Sequence, residues 1–316
     1  MLDLQLAAMM KAAHAAGMPD LCDLPLPASR DLYRQICAAA DRPPADVGVA
    51  DHAVPAAGAL PAIPLRVYTP RAAGPHGIVV YYHGGGYMLG DIAAYDNVCR
   101  QLCEDSGAVV VSVEYRLAPE HAFPAAADDA WAALGWAAEH ARSLGADPAR
   151  LAVAGDSAGA VLASTVALLA RDAGFPAIRL QALLYPPAAG GHDGDYPSRA
   201  RHAAGPTLTL RTMAHFSAHA FGASGRAADF RGAPLLARSL AGLPPTLLVL
   251  AGHDPLRDEG VAFADALLAA GTPVQLVEWH GLAHGFIVMA GGITAARQAQ
   301  RQFGLAVRDA LALPGV

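Results

Sequence analysis

The pentapeptide Gly155-Asp156-Ser157-Ala158-Gly159 puts a serine between two small-residue flanks. An apolar run, Leu151 to Ala154, precedes it, and a long helical pattern, Ala158 to Ala173, follows. A G-x-S-x-G serine at such a strand–turn–helix junction is aimed for nucleophilic attack, because the sharp turn exposes its oxygen above a sheet. The helix N-terminus then favours the negative charge that attack creates. Upstream, Tyr82-His83-Gly84-Gly85-Gly86-Tyr87 ends the apolar run Ile78 to Tyr82, and its glycines leave backbone N–H groups free to face a developing oxyanion. A serine nucleophile needs a base and a carboxylate to orient that base, and in this arrangement both come later in the chain. Asp254 follows the run Thr246 to Leu250, and His284 follows Val274 to Glu278. Of the 13 histidines only His280 and His284 lie beyond Asp254, and His280 sits almost on the run itself. His284 is therefore the expected base. Asp254 is preferred to Asp258 and Glu259, since those two begin a helical pattern where acids stabilise the first turn; Asp258 is a candidate supporting residue.

These residues need a scaffold that delivers four loops to one place. From about residue 63, short β-branched runs alternate with Ala/Leu-rich helical stretches, the pattern of a mostly parallel sheet wrapped by helices. Strands are expected at Leu65 to Tyr68, Ile78 to Tyr82, Ala108 to Val113, Leu151 to Ala154, Leu180 to Tyr185, Thr246 to Leu250 and Val274 to Glu278. Helices are expected at Tyr95 to Ser106, Pro124 to Leu144, Ala158 to Ala173, Arg257 to Ala270 and Thr294 to Leu311. Residues 1–50 and about 186–235 break this rhythm with Pro, Gly and His, and both are expected to fold as cap segments over the strand ends, where open α/β sheets bind ligands. The remainder, 51–316, would be the main domain.

The sequence resembles the hormone-sensitive-lipase family of α/β-hydrolases, the bacterial family IV esterases with H-G-G-G and G-D-S-A-G. Glu114 to His121, Asp254 to Gly260 and His284-Gly285-Phe286 are similar to further family blocks in the family's order. The resemblance covers about residues 63 to 311. It implies an α/β-hydrolase fold with about eight strands and a helical cap, and a carboxylesterase with Ser157, Asp254 and His284 as triad. Oxyanion donors would be the N–H groups of Gly85, Gly86 and Ala158, with His83 holding the glycine loop in shape. No cofactor and no metal are implied. Family members often dimerise, which makes a homodimer an expectation. Tyr87, Tyr185, Tyr196 and Phe286 are candidates for lining the substrate pocket. The compact cap points to short- or medium-chain acyl esters as the small-molecule substrate. An amide, thioester, carbamate or lactone remains open as the scissile bond. A binding protein similar to the plant gibberellin receptors, which lack the catalytic histidine, is disfavoured by His284. The segment Pro187 to Asp193 departs from the family pattern in its Gly/Ala content, which leaves the cap's shape open.

Composition narrows the partners. The 316 residues are 54% apolar and 16% charged, enough for one large core, and the net charge is -6 with a single lysine, Lys11, so no basic stripe is available for nucleic acid. The N-terminal apolar stretch, Met1 to Gly17, carries Asp3, Lys11 and His14 and reads neither as a signal peptide nor as a spanning helix. Membrane insertion is not expected, and a cytoplasmic location is. Cys22, Cys37, Cys99 and Cys103 show no C-x-x-C spacing and read as small buried hydrophobes.

Overall fold

The computed structural model describes residues 1–58 and 60–312. Two helices, α1 (Leu4–Ala15) and α2 (Leu26–Ala39), precede strands β1 (Gly48–Val54), β2 (Ile63–Thr69) and β3 (His76–Tyr82). Then follow α3 (Asp96–Ser106), β4 (Val109–Val113), α4 (Ala125–His140), β5 (Ala146–Asp156), α5 (Ala158–Ala173) and β6 (Leu180–Leu184). Two short cap helices, α6 (Pro197–Arg201) and α7 (Leu210–Phe221), lead to β7 (Thr246–His253), α8 (Arg257–Ala269), β8 (Val274–Ala283) and α9 (Thr294–Leu311).

The eight strands form one sheet in the order β1-β2-β4-β3-β5-β6-β7-β8. The β1–β2 and β2–β4 pairs are antiparallel, and all pairs from β4 through β8 are parallel. Every residue of β3, β4 and β6 is buried, as expected when helices cover both faces of a parallel sheet. Successive side chains alternate between two cores. Ile78, Val80 and Tyr82 pack with α4, α5 and α8 on one face, and Val79 and Tyr81 pack with α3 and α9 on the other.

The expected strands and helices are all present, with ends moved by a few residues. The sequence pattern missed β1, because five of its seven residues are exposed and an edge strand exposed on both faces shows no apolar alternation. The division expected near residue 50 falls inside this strand. The segment 1–50 is divided in its packing. Leu6 of α1 packs into the α3/α9 core, whereas Leu21 and Leu26 cluster with Phe216 and Phe221 of α7, and Asp20 accepts the Thr212 hydroxyl of α7 at 2.9 Å. Among the described residues no helix is long and apolar enough to cross a membrane.

Candidate active site

In the register of the parallel strands, Tyr82 pairs with Gly155, Asp156 with Leu184, and His253 with Ala283. The residues that leave these strand ends are His83, Ser157, Tyr185, Asp254 and His284, so separate loops open together on one edge of the sheet. That edge is where open α/β sheets carry their ligands.

Ser157 joins β5 to α5 with φ 52° and ψ −121°, a conformation costly for a residue with a Cβ. Its N–H donates to the Leu184 carbonyl oxygen at 2.8 Å, which pins the turn to β6. The hydroxyl makes no capping bond to α5 and stays available. Gly159 makes the tight turn possible, since a Cβ there would run into the carbonyl oxygen of Tyr82. Ser157 Oγ lies 2.9 Å from His284 Nε2, and His284 Nδ1 lies 2.7 Å from Asp254 Oδ2. An ionised carboxylate only accepts, so Nδ1 carries the ring proton and Nε2 presents its lone pair to the serine hydroxyl. Asp254 is fully buried, and its other oxygen accepts the Leu256 N–H at 2.8 Å, which fixes the carboxylate plane. The His284 side chain keeps 11% exposure, so the relay has a buried end and an end that solvent reaches.

The glycine loop is tied to the nucleophile turn by Asp156. Its Oδ1 accepts the Gly84 N–H at 2.8 Å and the Tyr81 hydroxyl at 2.9 Å, and its Oδ2 accepts the Tyr95 hydroxyl at 3.0 Å. Tyr33 of α2 extends this chain with a 2.9 Å bond to the Tyr95 hydroxyl. Burial pushes the Asp156 carboxyl up to about 6, against the downward pull of those donors. His83 Nδ1 donates to the Gly84 carbonyl at 2.8 Å, its ring stacks on Tyr115 at 4.3 Å, and the Tyr115 hydroxyl donates to the His83 carbonyl at 2.6 Å. Burial pushes this imidazole down to about 4, so it is neutral at ordinary pH. Among the described residues the backbone N–H groups of Gly85, Gly86 and Ala158 donate to no protein group. Phe216 of α7 stands against Gly86, where a Cβ would collide with its ring.

The expected pocket residues are distributed unevenly. Tyr185 and Phe286 are 1% and 0% exposed; their rings pack together, and Tyr185 lies 4.6 Å from the His284 ring. So deep a position lets them brace the imidazole from below, while leaving almost no surface for a substrate. Tyr87 is half-buried beside the glycine loop, edge-on to Phe221. Tyr196 instead stacks under the Arg199 guanidinium at 4.9 Å. Asp258 accepts the Ser198 N–H at 2.8 Å and does not meet the histidine. The sequence pattern held no sign of Asp156 as an anchor. It also held none of Glu259, which is fully buried and paired with Arg199 at 2.5 Å. A charged residue inside an otherwise apolar and Gly-rich run was the signal available for Asp156, whereas Glu259 lies in the charge-rich stretch Asp254 to Gly260 and carried none.

A model of the alpha/beta hydrolase fold matches residues 79–288. The esterase LipI of Mycobacterium tuberculosis is 43% identical over 263 residues, covering 79% of this chain and 80% of its own. The carboxylic ester hydrolase LipN of the same organism is 43% identical over 308 residues, covering 93% of this chain and 80% of its own. Among solved structures, a thermostable esterase from Pseudomonas putida ECU1011 superposes with a TM-score of 0.92 at 34% identity, over 99% of this chain and 98% of that one. A sheet of this order, loops gathered at its carboxyl edge and a family match running from β3 into the loop after β8 together establish that the chain belongs to the alpha/beta hydrolase fold family.

Proposed function

We propose that this protein is a serine carboxylesterase that hydrolyses short- to medium-chain acyl esters. The observation that carries the reading is the relay Ser157 Oγ–His284 Nε2–Asp254 Oδ2, at 2.9 and 2.7 Å, beside three unpaired backbone donors. The names of relatives at 43% identity over most of the chain, esterase and carboxylic ester hydrolase, support the same bond class.

In this reading Ser157 Oγ attacks the ester carbonyl carbon while its proton passes to His284 Nε2. Asp254 keeps the imidazole in the Nδ1–H tautomer and stabilises the imidazolium that forms. The carbonyl oxygen takes up the negative charge and is held by the N–H groups of Gly85, Gly86 and Ala158. Collapse of the tetrahedral species breaks the bond to the alkoxy oxygen, which leaves as alcohol with the proton from His284. Water then attacks the acyl-serine, giving its proton to His284, and a second collapse returns that proton to Ser157 and releases the acid. The chain-length preference is supported by Phe216 of α7, whose ring stands against Gly86 of the glycine loop beside the proposed oxyanion donors. Tyr87 is our candidate for a side wall of the substrate pocket. We assign the protein to the cytoplasm, a location supported by four free cysteines.

The test is hydrolysis of p-nitrophenyl esters from acetate to palmitate by wild type and Ser157→Ala. Wild type is expected to favour the short and medium esters, and Ser157→Ala to lose at least about 10⁴-fold in kcat. Equal rates for the two proteins would remove the serine mechanism, and a palmitate optimum would remove the chain-length assignment.

A further inference from the structure

Asp254 and His284 are delivered by neighbouring strands, whose ladder has one irregularity just before them. Pairing is continuous from Thr246–Val274 to Ala251–Trp279, then slips, and His253 pairs with Ala283. A slip of this kind bends the strand. The pairing beyond it sets the two loops side by side, and the 2.7 Å contact between their side chains depends in addition on what holds each loop.

The insertion between β6 and β7 supplies contacts to both loops. Ser198 Oγ donates to the Pro255 carbonyl at 2.8 Å and accepts the Asp258 N–H at 3.0 Å, while the Ser198 N–H donates to Asp258 Oδ2 at 2.8 Å. Arg199 pairs with the buried Glu259, whose other oxygen accepts the Ala189 N–H at 2.6 Å. Leu208 and Met213 cluster with Leu256, two residues beyond Asp254. Several polar bonds and an apolar contact thus hold the turn that carries the acid. From the same segment, Thr207 Oγ1 donates to the backbone carbonyl of His284 at 2.8 Å. Among the described residues no other group donates to that carbonyl. Gly285, with φ 77°, follows immediately, so the peptide plane after the histidine is flanked by a residue free to rotate.

We infer that residues 197–208 act as a bracket that sets the acid against the base, and that Thr207 is a positioning residue for His284. The acid turn is gripped redundantly. The base loop is attached to the bracket through one hydroxyl, so Thr207 is where the coupling is open to a single substitution. The inference rests on the triad reading proposed above, and its failure is separable from failure of that reading.

The experiment compares wild type with Thr207→Val, Thr207→Ser and His284→Ala on p-nitrophenyl butyrate. Valine keeps the shape and removes the donor; serine keeps the donor. Thr207→Val is expected to lose about 5- to 10-fold in kcat, the worth of one half-buried hydrogen bond, with KM within about twofold, while Thr207→Ser stays within about twofold of wild type in both. The low-field proton resonance of the Asp254–His284 bond is expected to weaken or move in Thr207→Val and to persist in Thr207→Ser. Thr207→Ala provides the same comparison if the valine variant does not fold. The bracket is overturned by an unchanged kcat in the donor-less variants, by a loss shared equally by serine, or by a change confined to KM, which would make Thr207 a substrate contact. Full activity in His284→Ala would instead overturn the triad itself.

Discussion

The two halves of the site are held in different ways. On the nucleophile side, the glycine loop and the Ser157 turn share one buried carboxylate, Asp156, that receives donors from β3, from Gly84 and from the residue preceding α3. Apart from Tyr33, this network is made by the sheet and its immediate loops. On the acid–base side, the grip on the Asp254 turn and the His284 loop comes from an insertion, through Ser198, Arg199 and Thr207. A hub of buried hydrogen bonds within the core holds the glycine loop, and with it the proposed oxyanion donors. The acid–base pair has support from the sheet side too, from Tyr185 beside the imidazole and the Leu256 N–H on the carboxylate, and depends in addition on the insertion through Ser198 and Thr207. Preorganisation is thus built into the core on one side and lent in part by the cap on the other.

Breaking the cap's seat should have the largest effect on stability. Arg199→Leu leaves Glu259 buried without its cation, and burial already pushes that carboxyl upward even with Arg199 present. Removing one partner of such a pair costs about 3–5 kcal/mol, read as a drop in the denaturant midpoint. The double variant Arg199→Leu/Glu259→Leu should recover much of the loss. Failure to recover would mean that packing, and not charge, seats the cap.

Asp156 and His83 give a pH test of the core-built side. Asp156, raised from 3.8 to about 6, keeps a proton in the folded chain over a range where the unfolded chain has released it. Its contribution favours folding at the acid end and is lost as pH rises through about 6. His83, lowered from 6.5 to about 4, behaves oppositely: below pH 6.5 the unfolded chain is protonated while the folded one stays neutral, so stability falls toward pH 4. Each contribution is worth roughly 3 kcal/mol and the two largely cancel. In Asp156→Asn only the His83 contribution remains. Its unfolding free energy relative to wild type should therefore drop by roughly 3 kcal/mol between pH 7 and pH 4, and a constant difference would refute this account.

The same variant sharpens the comparison in kinetics. An asparagine at 156 offers one acceptor oxygen to three donors, so Gly84 and the N–H groups beyond it lose their fixed aim. A loss on the order of 100-fold in kcat is expected, comparable to removing one oxyanion donor, with little change in KM. The smallest effect is the loss expected for Thr207→Val, because a single hydroxyl contact is at stake.

Much of the site was legible from residue types alone. The Ser157 turn could be read because its glycines, the apolar run before it and the helix after it are local and covalently fixed. The order serine, acid, histidine, each after a strand pattern, came from the same local logic. Asp156 was not legible as an anchor, since its significance depends on Tyr81 and Tyr95 lying over it, 75 and 61 positions away in the chain. Tyr185 and Phe286 looked like pocket residues because aromatic type does not tell which way a ring points. The segment 186–235 could be flagged by its lost rhythm, while its grip on Pro255, Asp258, Glu259 and His284 could not.

The chemical parts and the strand ends that carry them were determined by the sequence alone, because a turn, a cap and a period of two are properties of a few consecutive residues. The tertiary structure alone decided which oxygen holds the glycine loop. It also decided which segment fixes the distance between acid and base. Those choices turn on strand register, burial and contacts between residues dozens of positions apart, and no local pattern encodes them.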